Sequence, residues 1–204
     1  KLKSKLGIAT EAAIRDMSMV NLNAHNEYLR GRFYMEERNP DAFVKALSYF
    51  NKAVKLSPEY APAWVGIAWA TLFLSEDNYG TVSREVTLAK VDPAIDFALK
   101  HDPLLPEAHA IKGLSIYGDR PKAEFHLQKA IELNPNYADA YMWLSMNLSD
   151  QSNLKKIHKL RAKAVQLDPM SLIANSNYAV SLMQYGRFDD VEAIVSHMNR
   201  IGPD

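Results

Sequence analysis

The chain contains no cysteine, which excludes disulfides, thiolate nucleophiles and thiolate metal sites together and leaves cytoplasm and periplasm equally open. It carries no surplus of either charge. Across 204 residues, 24 Lys plus Arg stand against 24 Asp plus Glu, so the basic excess that displaces counterions from a nucleic acid is missing. No apolar run approaches the roughly 18 residues of a membrane span; the longest such region, WVGIAWATLFL at 64–74, is too short. The expectation is a soluble segment that neither binds nucleic acid nor inserts into a membrane. Hydrophobic residues make up 48% of it, enough to bury a substantial core as one domain or as an array of small units. The opening KLKSKLGIAT has neither an initiator Met nor a hydrophobic signal core, so the chain reads as an excised segment of a longer protein.

Sequence motifs for chemistry are missing as well. The six histidines, His25, His101, His109, His126, His158 and His197, form neither H-E-x-x-H nor a close carboxylate cluster. There is no G-x-x-x-x-G-K-[ST], no G-x-G-x-x-G and no G-x-S-x-G. No cofactor or metal is expected, and no acid, base and nucleophile set can be placed, so the chain reads as non-catalytic. Asn147, Leu148 and Ser149 match a glycosylation acceptor, but they fall on a predicted packed helix and read as coincidence.

What the chain does have is repetition. Residues 52–64 read KAVKLSPEYAPAW and residues 129–141 read KAIELNPNYADAY. The prolines of this pattern are Pro58, Pro103, Pro135, Pro169 and Pro203, separated by 45, 32, 34 and 34 residues. A period near 34 signals stacked helical hairpins. Five residues before these prolines stand Ala53, Ala98, Ala130, Ala164 and Met198. Two residues before them stand Leu56, His101, Leu133, Leu167 and Ile201, and one helix per repeat should end here, because proline lacks an amide hydrogen and disfavours helix at the preceding residue. After each of the first four prolines a bulky and a small residue share one helical face: Trp64 with Ile67 and Ala68; His109 with Lys112 and Gly113; Tyr141 with Leu144 and Ser145; Asn175 with Tyr178 and Ala179. An earlier copy supplies Gly31, with Tyr34 three residues on. The small residue lets a second helix approach closely.

These residues resemble the tetratricopeptide repeat, W-x2-L-G-x2-Y followed by A-x3-F and P. Five copies span about 24–58, 61–103, 106–135, 138–169 and 172–203. The fifth keeps its register and turns at Gly186; the fourth has Arg161 where an aromatic is usual, with Leu160 adjacent. The third is two residues shorter and turns at Gly118 and Asp119; the first has three additional residues, with Pro40 and Asp41 opening its second helix. The second carries eleven extra residues within SEDNYGTVSREVTLAK, 75–90, read as a lengthened helix pair or a surface loop, although loops often carry binding function. The resemblance implies an all-α, right-handed solenoid of helical hairpins over residues 23–204, with a concave inner surface. Ahead of it, Leu2, Leu6, Ala9, Ala13, Met17 and Val20 trace a helical apolar stripe. Residues 1–22 are expected to form a helix that either caps the first repeat or serves as a linker docking in the groove or on a partner.

By the repeat register, the inner surface should present Tyr28, Arg32 and Met35; Val65, Trp69, Leu72 and Phe73; Ala110, Leu114 and Tyr117; Met142, Met146 and Ser149; Ser176, Val180 and Met183. Some tetratricopeptide domains hold a terminal carboxylate with cationic residues on these faces; here Arg32 is the sole cation, which argues against that mode. The aromatic and Met-rich remainder suits an apolar peptide or an amphipathic helix. For Trp69, Phe73 and Trp143 the alternative is that they fill the space between hairpins. At the far end, Ile194, Val195, Met198 and Ile201 are expected to be partly uncovered, because solenoids need a polar cap; either more sequence follows, or this end pairs with another molecule.

The functional expectation is a protein-interaction module that binds a partner peptide or helix. Residues 23–74 resemble the opening repeats of bacterial winged-helix transcriptional activators and of some bacterial adenylate cyclases, which implies a regulatory parent protein. Two rival readings stay open: self-association of the parent as a homodimer, and a small-molecule sensor using the aromatics near Trp69 and Trp143.

Overall fold

A computed structural model describes residues 22–75, 80, 82–148 and 153–202. Among them are ten helices: α1 (Leu22–Met35), α2 (Pro40–Leu56), α3 (Ala61–Phe73), α4 (Arg84–His101), α5 (Pro106–Ser115), α6 (Arg120–Leu133), α7 (Ala138–Asn147), α8 (Leu154–Leu167), α9 (Leu172–Gln184) and α10 (Phe188–Ile201). The described residues hold no strand; the one isolated bridge joins Ser75 to Val82. The stripe of Leu2 to Val20, Ser149 and Pro203 lie outside the described residues.

The helices pair as five antiparallel hairpins, α1–α2, α3–α4, α5–α6, α7–α8 and α9–α10. Two compact units result, residues 1–103 with the first two hairpins and residues 104–204 with the other three.

Each second helix ends as its proline dictates. The amide following the helix donates to the carbonyl of the residue five before the proline: Ser57 to Ala53 at 2.9 Å, Asp102 to Ala98 at 2.8 Å, Asn134 to Ala130 and Asp168 to Ala164 at 2.9 Å, and Gly202 to Met198 at 3.0 Å. The starts are equally local. Asn39 Oδ1 accepts from the Ala42 amide at 2.9 Å ahead of Pro40, and Asp119 Oδ1 accepts from the Lys122 amide at 3.1 Å, satisfying amides that the first turn leaves without partners. Gly118 and Gly186 turn the chain at φ values of 81° and 68°, the left-handed region that glycine enters without strain. Part of the insertion in the second repeat is helix: α4 runs 18 residues where α6, α8 and α10 run 14.

The small-residue positions set how closely helices approach. A Cβ on Gly31 would lie 2.5 Å from Phe50 Cε1, and one on Gly66 would lie 2.6 Å from Phe50 Cδ1. Phe50, fully buried on α2, therefore packs onto glycine in its own hairpin and in the next. Gly113 does the same for Leu127, whose Cγ would be 2.6 Å from an added Cβ.

Candidate partner-binding surface

In residues 1–103 the first helices of the hairpins, α1 and α3, touch each other. Tyr28 and Arg32 are half-buried. Arg32 Nη1 donates to the Tyr28 hydroxyl at 3.1 Å, and the guanidinium lies 5.9 Å from the centroid of the Trp69 ring. Tyr28 meets Tyr60 edge-on at 5.5 Å, and the Tyr60 hydroxyl is 2.8 Å from His25 Nδ1. Burial, and after it the neighbouring Tyr28 phenol, push the Tyr60 phenol above its ordinary range, so it stays protonated. Met35, Val65, Trp69, Leu72 and Phe73 are buried. Phe73 sits edge-on to Phe43 at 5.3 Å and to Trp69 at 6.0 Å. In this unit the positions read from the register as groove lining are occupied by large side chains packed among themselves.

Residues 104–204 differ. Here α5 touches α7 and α7 touches α9, so three first helices lie side by side. Met142 and Ala110 are buried, but Tyr117 is 82% exposed, Met146 48%, Val180 42% and Met183 46%. Met146 and Val180 hold the same repeat position, five residues beyond Tyr141 and Asn175; Tyr117 and Met183 share another, eight beyond His109 and Asn175. The result is a row of accessible apolar side chains on α7 and α9, Met146, Val180 and Met183, with Tyr117 just beyond the end of α5 in the turn before Gly118, and no charged residue among the predicted lining positions of this unit.

Trp143 is buried. A surface depression in this unit, lined by Arg120, Pro121, Glu124, Asn147, Leu148 and Asn153, contains no tryptophan. Among the described residues, no three His, Asp or Glu side chains converge to hold a metal ion, and no helix is long and apolar enough to cross a membrane. His109 and His126 approach each other, Nδ1 to Nδ1 at 3.2 Å.

Between α8 and α9, His158 Nδ1 lies 2.7 Å from Ser181 Oγ, with the Tyr178 and Tyr185 rings at 5.4 and 4.9 Å. Burial foremost, then the charges of Arg187 and Arg161, lower the His158 imidazole below its usual value. Arg161, in the place of the usual aromatic, donates from Nη1 to the Asn177 carbonyl at 3.1 Å. It links α8 to α9 by a hydrogen bond where, in the first repeat, Phe50 packs on Gly66.

Pattern reading missed one recurring bond. Six residues after its proline, each of three repeats places a donor on that proline's carbonyl: Trp64 Nε1 on Pro58 at 2.7 Å, the Tyr141 hydroxyl on Pro135 at 3.1 Å, and Asn175 Nδ2 on Pro169 at 2.9 Å. Trp, Tyr and Asn share little except a side-chain donor. That shared capacity at a fixed six-residue interval was the available signal.

Among solved structures, the chain is similar to TTC0263, a thermophilic tetratricopeptide-repeat protein of Thermus thermophilus, with a TM-score of 0.64 and 17% identity over 89% of this chain and 92% of that one. PilW, a type IV pilus biogenesis factor, gives a TM-score of 0.62 at 16% identity over 90% and 80%. Yeast Tom70 gives a TM-score of 0.62 at 20% identity over 95% of this chain and 39% of that one. The fold is that of the tetratricopeptide-repeat solenoids. No protein-family model and no curated protein sequence matches the chain.

Proposed function

We propose that the chain is a non-catalytic protein-interaction module, and that the exposed face of α7 and α9 in residues 104–204, together with Tyr117 in the turn after α5, receives an apolar peptide or amphipathic helix of a partner protein. The observation that carries this reading is the exposed apolar row of Met146, Val180 and Met183 on α7 and α9, extended by Tyr117 in the turn after α5. An exposed apolar row framed by polar residues is a common mark of an interaction site. Methionine adapts its shape to a ligand and tyrosine supplies broad contact area. The packed counterparts in residues 1–103, Met35, Trp69, Leu72 and Phe73, support the hairpins, while Tyr28 and Arg32 offer a half-exposed polar edge. The resemblance of residues 23–74 to the repeats of bacterial regulators supports a role within a regulatory protein.

A second reading, self-association, draws on α10, where no residue is buried and Phe188 and Val195 stay exposed. Sedimentation across a concentration series separates the two readings: a monomer at all concentrations favours the partner site.

The site is tested with peptides selected from a random library on the intact chain. Met146→Asp combined with Val180→Asp should weaken the selected peptides by at least about tenfold, equivalent to ~1.4 kcal/mol, without lowering the melting temperature, since both side chains are already exposed. Equal binding by the variant would place the peptide site elsewhere.

A further inference from the structure

The third hairpin differs from the other four by two imidazoles that meet between its helices. His109 stands six residues after Pro103, in the place of Glu27, Trp64, Tyr141 and Asn175 in the other repeats. His126 stands three after Ala123, in the place of Tyr49, Ala94, Leu160 and Ile194. No other repeat has histidine at either place, so the repeat pattern itself does not require the pair.

His109 on α5 and His126 on α6 are both half-buried. Their Nδ1 atoms are 3.2 Å apart, and their ring planes are inclined at 29°. The 5.5 Å between the centroids leaves both nitrogens close to the line that joins the rings, so the two Nδ1 atoms point at one another. Between neutral rings such a contact holds one proton, with one Nδ1 donating and the other accepting. A metal ion can use both nitrogens as acceptors at once. Two nitrogens on one tetrahedral zinc ion, each about 2.0–2.1 Å from it, stand roughly 3.3–3.4 Å apart, close to the spacing already present. An ion so placed lies off the line between the nitrogens, and each ring must turn by roughly 40° to meet it. The turn is made about χ2, a torsion with broad wells in histidine.

The ligand type selects the ion. Imidazole nitrogen suits zinc, copper and nickel, whereas magnesium and calcium take oxygen ligands. Among the described residues no third His, Asp or Glu completes a set with the pair, so water fills the remaining positions.

We propose that His109 and His126 form a two-nitrogen site for a divalent ion of the zinc class, which clamps α5 to α6. Both rings bind through Nδ1 as the Nε2–H tautomer. Starting from two neutral rings, the shared proton moves to Nε2 of the donating ring and none is released.

The test uses the intact chain, with its six histidines labelled with nitrogen-15 and titrated with zinc chloride beside a magnesium chloride control. The proposal predicts that the ring nitrogens of His109 and His126 shift together and saturate at one ion per chain. His25, His101, His158 and His197 should stay in place, and magnesium should move none of the six. His109→Gln and His126→Gln should each weaken zinc binding at least about tenfold, whereas His101→Gln should leave it unchanged. Zinc that shifts the other histidines equally, or that binds the double Gln variant as well as the native chain, would be an adventitious ion only and would overturn the proposal. No shift of the pair at millimolar zinc would overturn it too, leaving the imidazole hydrogen bond as the whole role of the pair. Should a Gln variant lose its helical circular dichroism, the titration of the labelled native chain decides alone.

Discussion

Phe50 shows how a single residue commits two hairpins to one geometry. Its ring fills the space left by the missing side chains of Gly31 and Gly66, so its volume and theirs must change together. Phe50→Ala should cost about 3–5 kcal/mol, the usual range for a buried aromatic truncated to alanine, measured by urea denaturation. Gly31→Ala should cost about 1–3 kcal/mol through overpacking. Gly31 was legible from the repeat pattern. Gly66 was not, because Ala68 already fills the expected small position and only the ring of Phe50 reveals the second close approach. His158 supplies a pH prediction of definite sign. Its folded pKa is lowered from the ordinary 6.5, so the stability it contributes is complete above that value and is lost as the pH falls through the folded pKa. The urea midpoint should be lower at pH 5 than at pH 7.5, and His158→Gln should shrink the difference; an unchanged difference would remove His158 as the source.

Among the elements, the linkers between hairpins are the most regular feature and the most readable. The repeat prolines located the ends of the second helices to the residue, since proline both withholds a donor and restricts its predecessor. Pro40 marked the start of α2 for the same reason. The lengthening of α4 was left open, because a run such as SREVTLAK satisfies helix and loop alike until its packing is known. The bond from the next helix onto the proline carbonyl was invisible to a pattern built on side-chain type. Asn175 tests it: buried, it donates to the carbonyls of both Pro169 and Ser171, and His197 Nε2 also reaches the Pro169 oxygen at 2.8 Å. Asn175→Leu should cost about 1–3 kcal/mol by removing donors from buried acceptors, whereas His197→Gln, at an exposed bond, should cost less. Equal losses in thermal denaturation would show that the shared carbonyl is satisfied by either partner alone.

For the molecule as a whole, the five hairpins followed from a period and a few turn residues, but the accessible part of the inner face did not. Register assigns Trp69 and Met146 to the same repeat position without revealing which is covered. Packing decides that: in residues 1–103 bulky neighbours close over Trp69, Leu72 and Phe73, while in residues 104–204 Met146, Val180 and Met183 stay open. Trp69→Ala should therefore act on stability, by about 3–5 kcal/mol, and Met146→Asp on binding. The eight methionines carry the probe that tests the central claim most directly. With methyl-13C methionine in the intact chain, titration with a library-selected apolar peptide should shift the Met146 and Met183 resonances and leave the buried Met35 and Met142 in place. Shifts confined to other methionines, or none at saturating peptide, would contradict the assignment of this face as the partner site.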